Sequence, residues 1–242
     1  MKNFNTILAV GAVATVCGAA EAALVAGWDF QTTTNGGTAA SSASAPSSYT
    51  ANFGAGSLYL DGTQGSGTWT ALNGYSGTNL NTAGTSFATS TASPSALGIA
   101  NGTQNGKSMV FRLSMSGLSD LSLSFAAARS KSGSGLIGYS GIDISYSANS
   151  SGSTPTAWTS VTSVSISAAA ASGAFEVFDL GDSFAAADQQ DFVFVRMTLS
   201  GATNSSGTFR LDNVQFNATP VPAPGAMALL GVAGLLGARR RR

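Results

Sequence analysis

Five acidic residues could carry chemistry, because they lie within one stretch of sixteen positions. The stretch FEVFDLGDSFAAADQQD contains Glu176, Asp179, Asp182, Asp188 and Asp191. Two carboxylates that face each other across about 5 to 10 Å can hydrolyse a glycosidic bond. The spacing does not match an EF-hand loop, which needs a fixed pattern of oxygen ligands and a closing glutamate. Glycan hydrolysis is therefore one hypothesis for this stretch. The other is solvated charges around a turn or short helix over 183–190.

The chain has no histidine, and Cys17 is its only cysteine. Without histidine, the residue types exclude Ser-His-Asp and Cys-His catalysis and the usual zinc sites. Cys17 lies in the leader described below, so the mature chain is expected to have no disulfide and no thiol nucleophile.

Aromatic residues provide a second kind of candidate site. Trp69, Tyr75 and Trp158 lie in or near segments that look like loops, and Tyr139 follows a glycine-rich turn. Tryptophan and tyrosine combine an apolar face with a polar tip, which suits stacking against a sugar ring. By this argument Trp69 is the first candidate carbohydrate-binding residue, and Trp158 is the second. Packing in a hydrophobic core explains the same residues.

The charge balance bears on possible partners. Residues 23–219 contain six basic and ten acidic residues, a formal net charge of −4, although the whole chain is neutral. A nucleic-acid-binding protein needs a basic surface to neutralise phosphates. Nucleic acid is therefore not expected as a partner.

The first 22 residues have the layout of a secretory signal peptide. Lys2 lies near the start, an apolar core runs over 7–20, and the small-residue site Ala20-Glu21-Ala22 follows. This order predicts export and cleavage by signal peptidase after Ala22. A signal anchor or a first core helix is the alternative, which the shortness of the apolar run disfavours.

The segment 220–242 reads as a short membrane anchor. Pro222 and Pro224 prevent a helix from extending upstream. Residues 225–238 are apolar or small, and as a helix they would span about 21 Å, less than the bilayer core of about 30 Å. Four arginines end the chain and should stay on the cytoplasmic side: Arg239, Arg240, Arg241 and Arg242. Such a marginal anchor suits a temporary stop-transfer signal.

The order Val221-Pro222-Ala223-Pro224, a Gly/Ala/Leu-rich helix and a terminal arginine run resembles the PEP-CTERM sorting signal. Proteins with that signal are exported by Gram-negative bacteria, many of them producers of exopolysaccharide, and a membrane protease of the exosortase family processes them. The family tripeptide is Pro-Glu-Pro, and here Ala223 replaces the glutamate. The resemblance implies signal peptidase and an exosortase-like protease as partners and a transient stay in the inner membrane. The cell surface or extracellular matrix would be the destination. A plain C-terminal anchor is the alternative.

Residues 23–219 form the domain between leader and tail, and their pattern is that of β-strands. Charged residues are 9% of the chain, against about 25% in ordinary domains. Apolar residues repeat with period 2, as expected of strands with one buried face. These are Met109, Phe111, Leu113 and Met115, then Leu121, Leu123 and Phe125, then Ile142, Ile144 and Tyr146. From Phe192 to Val195 both faces are apolar, which predicts a central strand.

The fold predicted from this pattern is all-β, a single antiparallel β-sandwich of jelly-roll-like arrangement. The signal-peptide helix and a short C-terminal hydrophobic helix would flank it. The first strand would be ALVAGWDF and the last FRLDNVQF, paired so that the domain's ends meet. Residues 31–57 and 63–95 are expected to be long, polar, glycine-rich loops.

The segment RLDNVQF at 210–216 resembles the last strand of carbohydrate-binding jelly rolls and of sandwich modules exported with this type of tail. In several of these an aspartate of that strand helps to hold a structural calcium. The resemblance implies Asp212 as a calcium ligand, with Asn213 or backbone carbonyls of the first strand nearby. Calcium takes six to eight oxygens, more than one motif supplies. The alternative is that Asp212 pairs with a base or caps a turn at the sandwich edge.

Together these features predict an exported, non-catalytic protein of the bacterial surface or extracellular matrix, sorted by an exosortase-type system and associated with extracellular polysaccharide. The lack of histidine and cysteine, the low charge and the tail favour this function. The alternative is a secreted glycan hydrolase that uses the carboxylates of 176–191.

Overall fold

The computed structural model describes residues 21–31, 48–61, 72–87, 95–100, 104–132, 135–149, 155–167 and 174–222. Within these residues the chain forms β-strands joined by turns and loops, with a 3₁₀ turn at Ala185–Ala187. None of the helical structure there is long and apolar enough to cross a membrane. The helices predicted for the signal peptide and the tail, and Trp69, lie outside the described residues.

The strands are, in chain order, β1 (Ala23–Trp28), β2 (Ser48–Thr50), β3 (Phe53–Gly54), β4 (Gly56–Asp61), β5 (Leu72–Ser76), β6 (Ser95–Ala100), β7 (Ser108–Leu113), β8 (Leu118–Arg129), β9 (Lys131–Ser132), β10 (Gly135–Leu136), β11 (Gly141–Asn149), β12 (Thr159–Ser165), β13 (Glu176–Asp179), β14 (Phe192–Ser200) and β15 (Thr208–Pro220). They form two large antiparallel sheets, and β9 and β10 make a separate short hairpin.

The first sheet has the order β13-β8-β15-β1-β3, and β6 and β5 extend it beside the other half of β15. The second sheet has the order β12-β11-β14-β7-β4-β2. Successive strands alternate repeatedly between the sheets, as from β7 to β8 and from β14 to β15. The architecture is therefore the antiparallel β-sandwich predicted from the sequence, with the expected jelly-roll-like alternation.

One hydrophobic core lies between the two sheets. Trp28 and Phe216 of the first sheet meet Phe111 of the second, with ring centroids 5.0 Å apart for Trp28 and Phe111 and 5.4 Å for Phe111 and Phe216. The period-2 residues named above are all buried in this core. Their polar neighbours point away from it, so the alternation in the sequence correctly identified the inner face of each strand.

The predicted pairing of the first and last strands is confirmed, because β1 lies antiparallel to β15 with Trp28 opposite Val214. β1 ends at Trp28, two residues before the predicted end of the strand. The central strand predicted at 192–195 is also confirmed, because β14 lies between β11 and β7.

The prediction of long loops over 31–57 and 63–95 was wrong in part. Both segments contain strands, namely β2, β3 and the start of β4 in the first segment and β5 in the second. These strands are short or polar and add to the margins of the sheets, where few apolar residues are needed. Residues 77–87 do form a loop, but it packs on the first sheet, because the Phe87 ring lies where a side chain at Gly27 would project.

Candidate functional site

The first sheet has a gap beside β15, and polar residues collect there. β1 and β6 lie along the same edge of β15, one after the other. Gln31 connects them, since its amide donates to the Ser95 carbonyl (2.9 Å) and accepts from the Ser95 N–H (2.8 Å). Opposite the gap, the pairing of β15 with β8 is interrupted by a bulge between Asp212 and Gln215. A bulge of this kind redirects side chains at a sheet.

Asp212 lies at this gap and is fully buried. Its carboxylate accepts hydrogen bonds from the N–H of Thr78 (2.7 Å) and from that of Asn213 (2.9 Å). Burial raises the pKa of Asp212 to about 8, although both amide donors oppose the shift. The nearby carboxylate of Asp29, itself buried, raises it further. An isolated buried carboxylate is unfavourable, so this site favours either a proton or a cation.

The loop 77–87 covers Asp212 through hydrogen bonds to β15. The Asn213 side-chain amide donates to the carbonyls of Thr78 and Leu80, both at 2.8 Å. Asn81 donates to the Asn213 carbonyl at 2.7 Å, and Gln215 donates to the Asn81 carbonyl. Asn81 and Asn213 both have positive φ, at 58° and 47°. The loop is therefore held to the sheet by side-chain amides whose positions depend on the bulge.

The oxygen atoms at this gap fit a hard cation. Asn213 Oδ1 is buried without a hydrogen-bond partner in the described part of the chain. A side chain at Gly77 would collide with both Asp212 Oδ2 and the Ser95 carbonyl, so these two oxygens approach one point. Asp29, Asp212 and Asn213 would hold calcium, and the ion would neutralise the two carboxylates. Among the described residues, no three His, Cys, Asp or Glu side chains cluster as a metal site, so further ligands would come from backbone oxygens.

The alternative interpretation of Asp212 is a residue that pairs with a base or caps a turn at the sandwich edge. β15 is an inner strand of the first sheet. The Asp212 carboxylate accepts hydrogen bonds from two backbone amides, one of them in the loop 77–87. Asp29, which follows the first strand, was not singled out from the sequence. The predicted pairing of the first strand with the last strand could have identified Asp29, because that pairing brings Asp29 close to Asp212.

The five acids of 176–191 have mostly local contacts. Glu176 accepts from the Ser167 N–H at 2.9 Å, and Asp179 accepts from the Gly181 N–H at 3.0 Å. Asp188 accepts from the N–H of Asp120 at 2.9 Å, and Asp120 has a φ of 57°. The remaining two, Asp182 and Asp191, are exposed. These contacts agree with the hypothesis of charges around a turn, and the 3₁₀ turn lies within 183–190.

A second group of candidate functional side chains lies at the outer face of the second sheet. Arg112 lies on β7 between core residues, and Phe192 and Arg196 occupy alternate positions at the outer side of β14. The guanidinium carbon of Arg112 is 4.3 Å from the centroid of the Phe192 ring. The guanidinium carbon of Arg196 is 4.3 Å from the Trp158 ring. We call these four residues the arginine–aromatic face.

The two arginines of this face differ in their hydrogen bonds. Arg196 Nε donates to the Ser145 hydroxyl at 3.0 Å. Arg112 Nε is buried and has no hydrogen-bond partner within the described residues. Arg112 also borders a pocket of about 310 Å³ at the end of the sheet, together with Ser57, Ser114 and Phe192. A guanidinium that lines a pocket can donate hydrogen bonds to an acceptor of a ligand.

The aromatic candidates have different positions. Tyr139 is fully buried and meets Phe209 edge-on, so it is a core residue. Trp158 is half-buried on the arginine–aromatic face. The side chains of Trp69 and Tyr75 lie outside the described set. Arg112, Phe192 and Arg196 were missed as candidates, although the alternation of their strands places them on the outer face.

No protein-family model matches the chain, and no curated protein sequence matches it. Solved structures show slight likenesses. One described as "CBM4 structure and function" has 14% identity over 52% of this chain and 70% of its own, with a TM-score of 0.35. The CBM22-1 xylan-binding domain of Paenibacillus barcinonensis Xyn10C has 9% identity over 84% of this chain and 98% of its own, with a TM-score of 0.42.

The CBM22-1–GH10 modules of Clostridium thermocellum xylanase 10B, complexed with xylohexaose, have 10% identity and a TM-score of 0.39. That match covers 63% of this chain and only 25% of the xylanase chain. Each likeness is too slight to support a conclusion about ligand or activity. The fold assignment therefore rests on the strand pairing and the shared core.

Proposed function

We propose that the chain is an exported, non-catalytic bacterial protein that associates with polysaccharide at the cell surface or in the extracellular matrix. The observation that carries the proposal is the arginine–aromatic face, where two cation–aromatic pairs and a pocket lie on one side of a β-sheet. Aromatic rings bind the apolar faces of sugars, and arginine donates to their oxygen atoms. A rigid sheet presents such groups without the entropy cost of ordering a loop.

The lack of catalysis is supported by the contacts of the acidic residues. Glu176, Asp179 and Asp188 accept backbone hydrogen bonds from nearby turns and strands. The pocket at the arginine–aromatic face is lined by none of the five acids. If the full chain hydrolyses glycans and loses that activity in an Asp182→Ala/Asp188→Ala double variant that still folds, the non-catalytic proposal is wrong.

Replacing Trp158 by alanine should weaken polysaccharide binding at least tenfold. The ring supplies an apolar surface for a sugar, and a loss of about 1.4 kcal/mol corresponds to that factor. Affinity electrophoresis of the full chain in gels containing the host's exopolysaccharide measures the change. Val177→Ala is the control, because Val177 is an exposed apolar residue on the other sheet. Equal retardation of Trp158→Ala and wild type would contradict this binding face.

The proposal includes sorting by signal peptidase and an exosortase-like protease through the segment 220–242. Its support is the resemblance of Val221-Pro222-Ala223-Pro224 and the four arginines to a PEP-CTERM signal. Val221 and Pro222 directly follow β15, and the Val221 N–H donates to the Gly117 carbonyl at 2.9 Å. Only residues after that point would need to be accessible to a protease. Transient anchoring in the inner membrane, with the C-terminus cytoplasmic, would precede release.

Mature protein from the native host should lack Arg239 to Arg242 and should be found at the surface or in the matrix. Each arginine costs about 2.5 to 3.5 kcal/mol at the middle of a membrane, so the four resist translocation and hold the chain for cleavage. Intact-mass measurement on fractionated cells tests this. A tail in which Arg239–Arg242 are replaced by glutamine is the control and should be secreted uncleaved. A wild-type mature species that retains Arg242 in the inner membrane would indicate an ordinary anchor.

A further inference from the structure

The two arginines of the arginine–aromatic face lie close together in an acidic domain. Arg112 is directly opposite Phe194 in the pairing of β7 with β14, and Arg196 is two residues further along β14. Such diagonal neighbours on one face of an antiparallel pair are about 7 to 8 Å apart. Residues 23–219 carry a net charge of −4. The face therefore combines two cations where the rest of the domain is predominantly anionic.

Arg112 is the arginine with unused binding capacity. Its ring partner Phe192 holds the guanidinium at 4.3 Å, which fixes the orientation of the side chain at the pocket. Its Nε is buried and makes no hydrogen bond within the described residues, whereas Arg196 Nε bonds to Ser145. A buried donor without an acceptor is unfavourable, because it has lost its hydrogen bonds to water. Because Arg112 borders the pocket and its Nε is buried, its Nη groups are the donors that a ligand there would meet.

The shape and lining of the pocket indicate which acceptor fits. Two hydroxyl residues, Ser57 and Ser114, line the pocket with Arg112, and Ser57 is directly opposite Arg112 in the sheet. A planar guanidinium forms a bidentate pair with a carboxylate, which is shorter and stronger than a neutral hydrogen bond. The volume of about 310 Å³ accommodates more than a carboxylate alone. The hydroxyls of Ser57 and Ser114 would then contact the sugar ring that bears the carboxylate.

We propose that this pocket binds the carboxylate of a uronic acid unit, so that the protein prefers anionic over neutral polysaccharide. This specificity rests on the proposed function, since it assigns the ligand class of the same face. Arg112 is the specificity-determining residue, and Phe192 positions it. Trp158 and Arg196 provide contacts that a neutral glycan also uses.

The test measures binding of the full chain, in mild detergent, to soluble polyglucuronate and to the carboxyl-reduced form of the same polymer. Wild type should bind polyglucuronate at least tenfold more tightly, and the preference should decline as sodium chloride rises, because salt screens the ion pair. Arg112→Gln should abolish the preference, so that the variant binds the two polymers with equal affinity. Arg112→Lys should retain only part of the preference, because lysine keeps the positive charge but cannot form the planar bidentate pair.

Arg129→Gln is the matched control. Arg129 is also an arginine whose buried Nε makes no hydrogen bond within the part of the chain that the structure describes, but it lies on β8 of the other sheet. This variant should keep the full preference, which separates a ligand contact from a general effect of removing an arginine. Thermal unfolding of all variants checks that they remain folded.

Competition distinguishes the source of the carboxylate. Monomeric glucuronate should displace polyglucuronate, and acetate at the same concentration should not. Equal displacement by acetate would overturn the assignment of a sugar acid. If both polymers bind equally and Trp158→Ala still weakens both, the uronate specificity is wrong and the proposed function stands. Binding to neither polymer nor to the host's exopolysaccharide would overturn the proposed function itself.

Discussion

In a metal chelator, the free energy of unfolding should fall as pH rises from about 4 to about 8. Asp212 has a pKa of about 8 when folded, against 3.8 for the free side chain, chiefly because it is buried. Between these values the folded chain holds a proton that the unfolded chain has lost, so the stabilisation is complete below pH 4 and is lost towards pH 8. The slope is about 1.4 kcal/mol per pH unit, of the order of 5 kcal/mol in total. Urea unfolding at fixed pH values measures it.

Asp212→Asn isolates this effect. Asparagine is neutral at every pH, so the variant should lose the slope. Only one oxygen remains to accept from Thr78 and Asn213, which should make the variant less stable than wild type at pH 5. At pH 9 the order should reverse, since wild type then carries a buried charge. Asp143→Asn, at an exposed position on β11, should keep the wild-type slope. Parallel curves for wild type and Asp212→Asn would show that Asp212 does not control the pH dependence.

Calcium should change this profile if it binds at Asp29 and Asp212. A cation competes with the proton, so its affinity should rise with pH up to about 8. Excess calcium should then raise the melting temperature clearly at pH 8.5 and little at pH 5, because a ligand stabilises the state that binds it. The melting temperature of the Asp212→Asn variant should respond weakly to calcium at both pH values. Equal melting in calcium and chelator at pH 8.5 would refute the calcium site and leave the proton linkage intact.

The inner faces of the strands could be predicted from sequence because alternation has a direct physical cause. Successive side chains of a strand point to opposite sides, so Met109, Phe111 and Leu113 all reach the core while Arg112 cannot. The same rule found the central position of β14. It failed for β2, β3 and β5, which are too short or too polar to show a buried face. Their positions depend on pairing with other strands, namely β3 with β1, β2 with β4 and β5 with β6.

The candidate sites were less predictable, because they depend on contacts between distant segments. Asp212 was identified as a candidate ligand only by resemblance to a known strand motif. Its burial results from the loop 77–87, and nothing in the sequence around Thr78 and Asn81 predicts that this loop packs on β15. The arginine–aromatic face required the register of β7 with β14, which places Arg112 beside Phe194. Sequence alternation shows which side a residue occupies. It does not show which residue is its neighbour.

Replacing Trp28 by alanine should destabilise the protein by about 3 to 5 kcal/mol, the usual cost of removing a buried aromatic side chain. Trp28 is 1% exposed, and its ring meets Phe111 and Phe216 edge-on. Its indole N–H donates to the Tyr49 carbonyl at 3.3 Å, which ties β2 to the first sheet. Chemical denaturation measures the change. Leu80→Ala is the control, because Leu80 is 45% exposed and its truncation should shift stability by less than about 0.5 kcal/mol.

A double variant tests whether Trp28 joins the two sheets or merely fills space in one. Trp28 belongs to the first sheet and Phe111 to the second, so their ring contact of 5.0 Å crosses the interface. Two independent sites would show additive losses, whereas residues in contact differ from additivity by 0.5 kcal/mol or more. The Trp28→Ala/Phe111→Ala variant should therefore lose less than the sum of the single losses, because one truncation already removes the shared contact. Strict additivity, or a loss below about 1 kcal/mol for Trp28→Ala, would mean that the sheets do not pack through this pair.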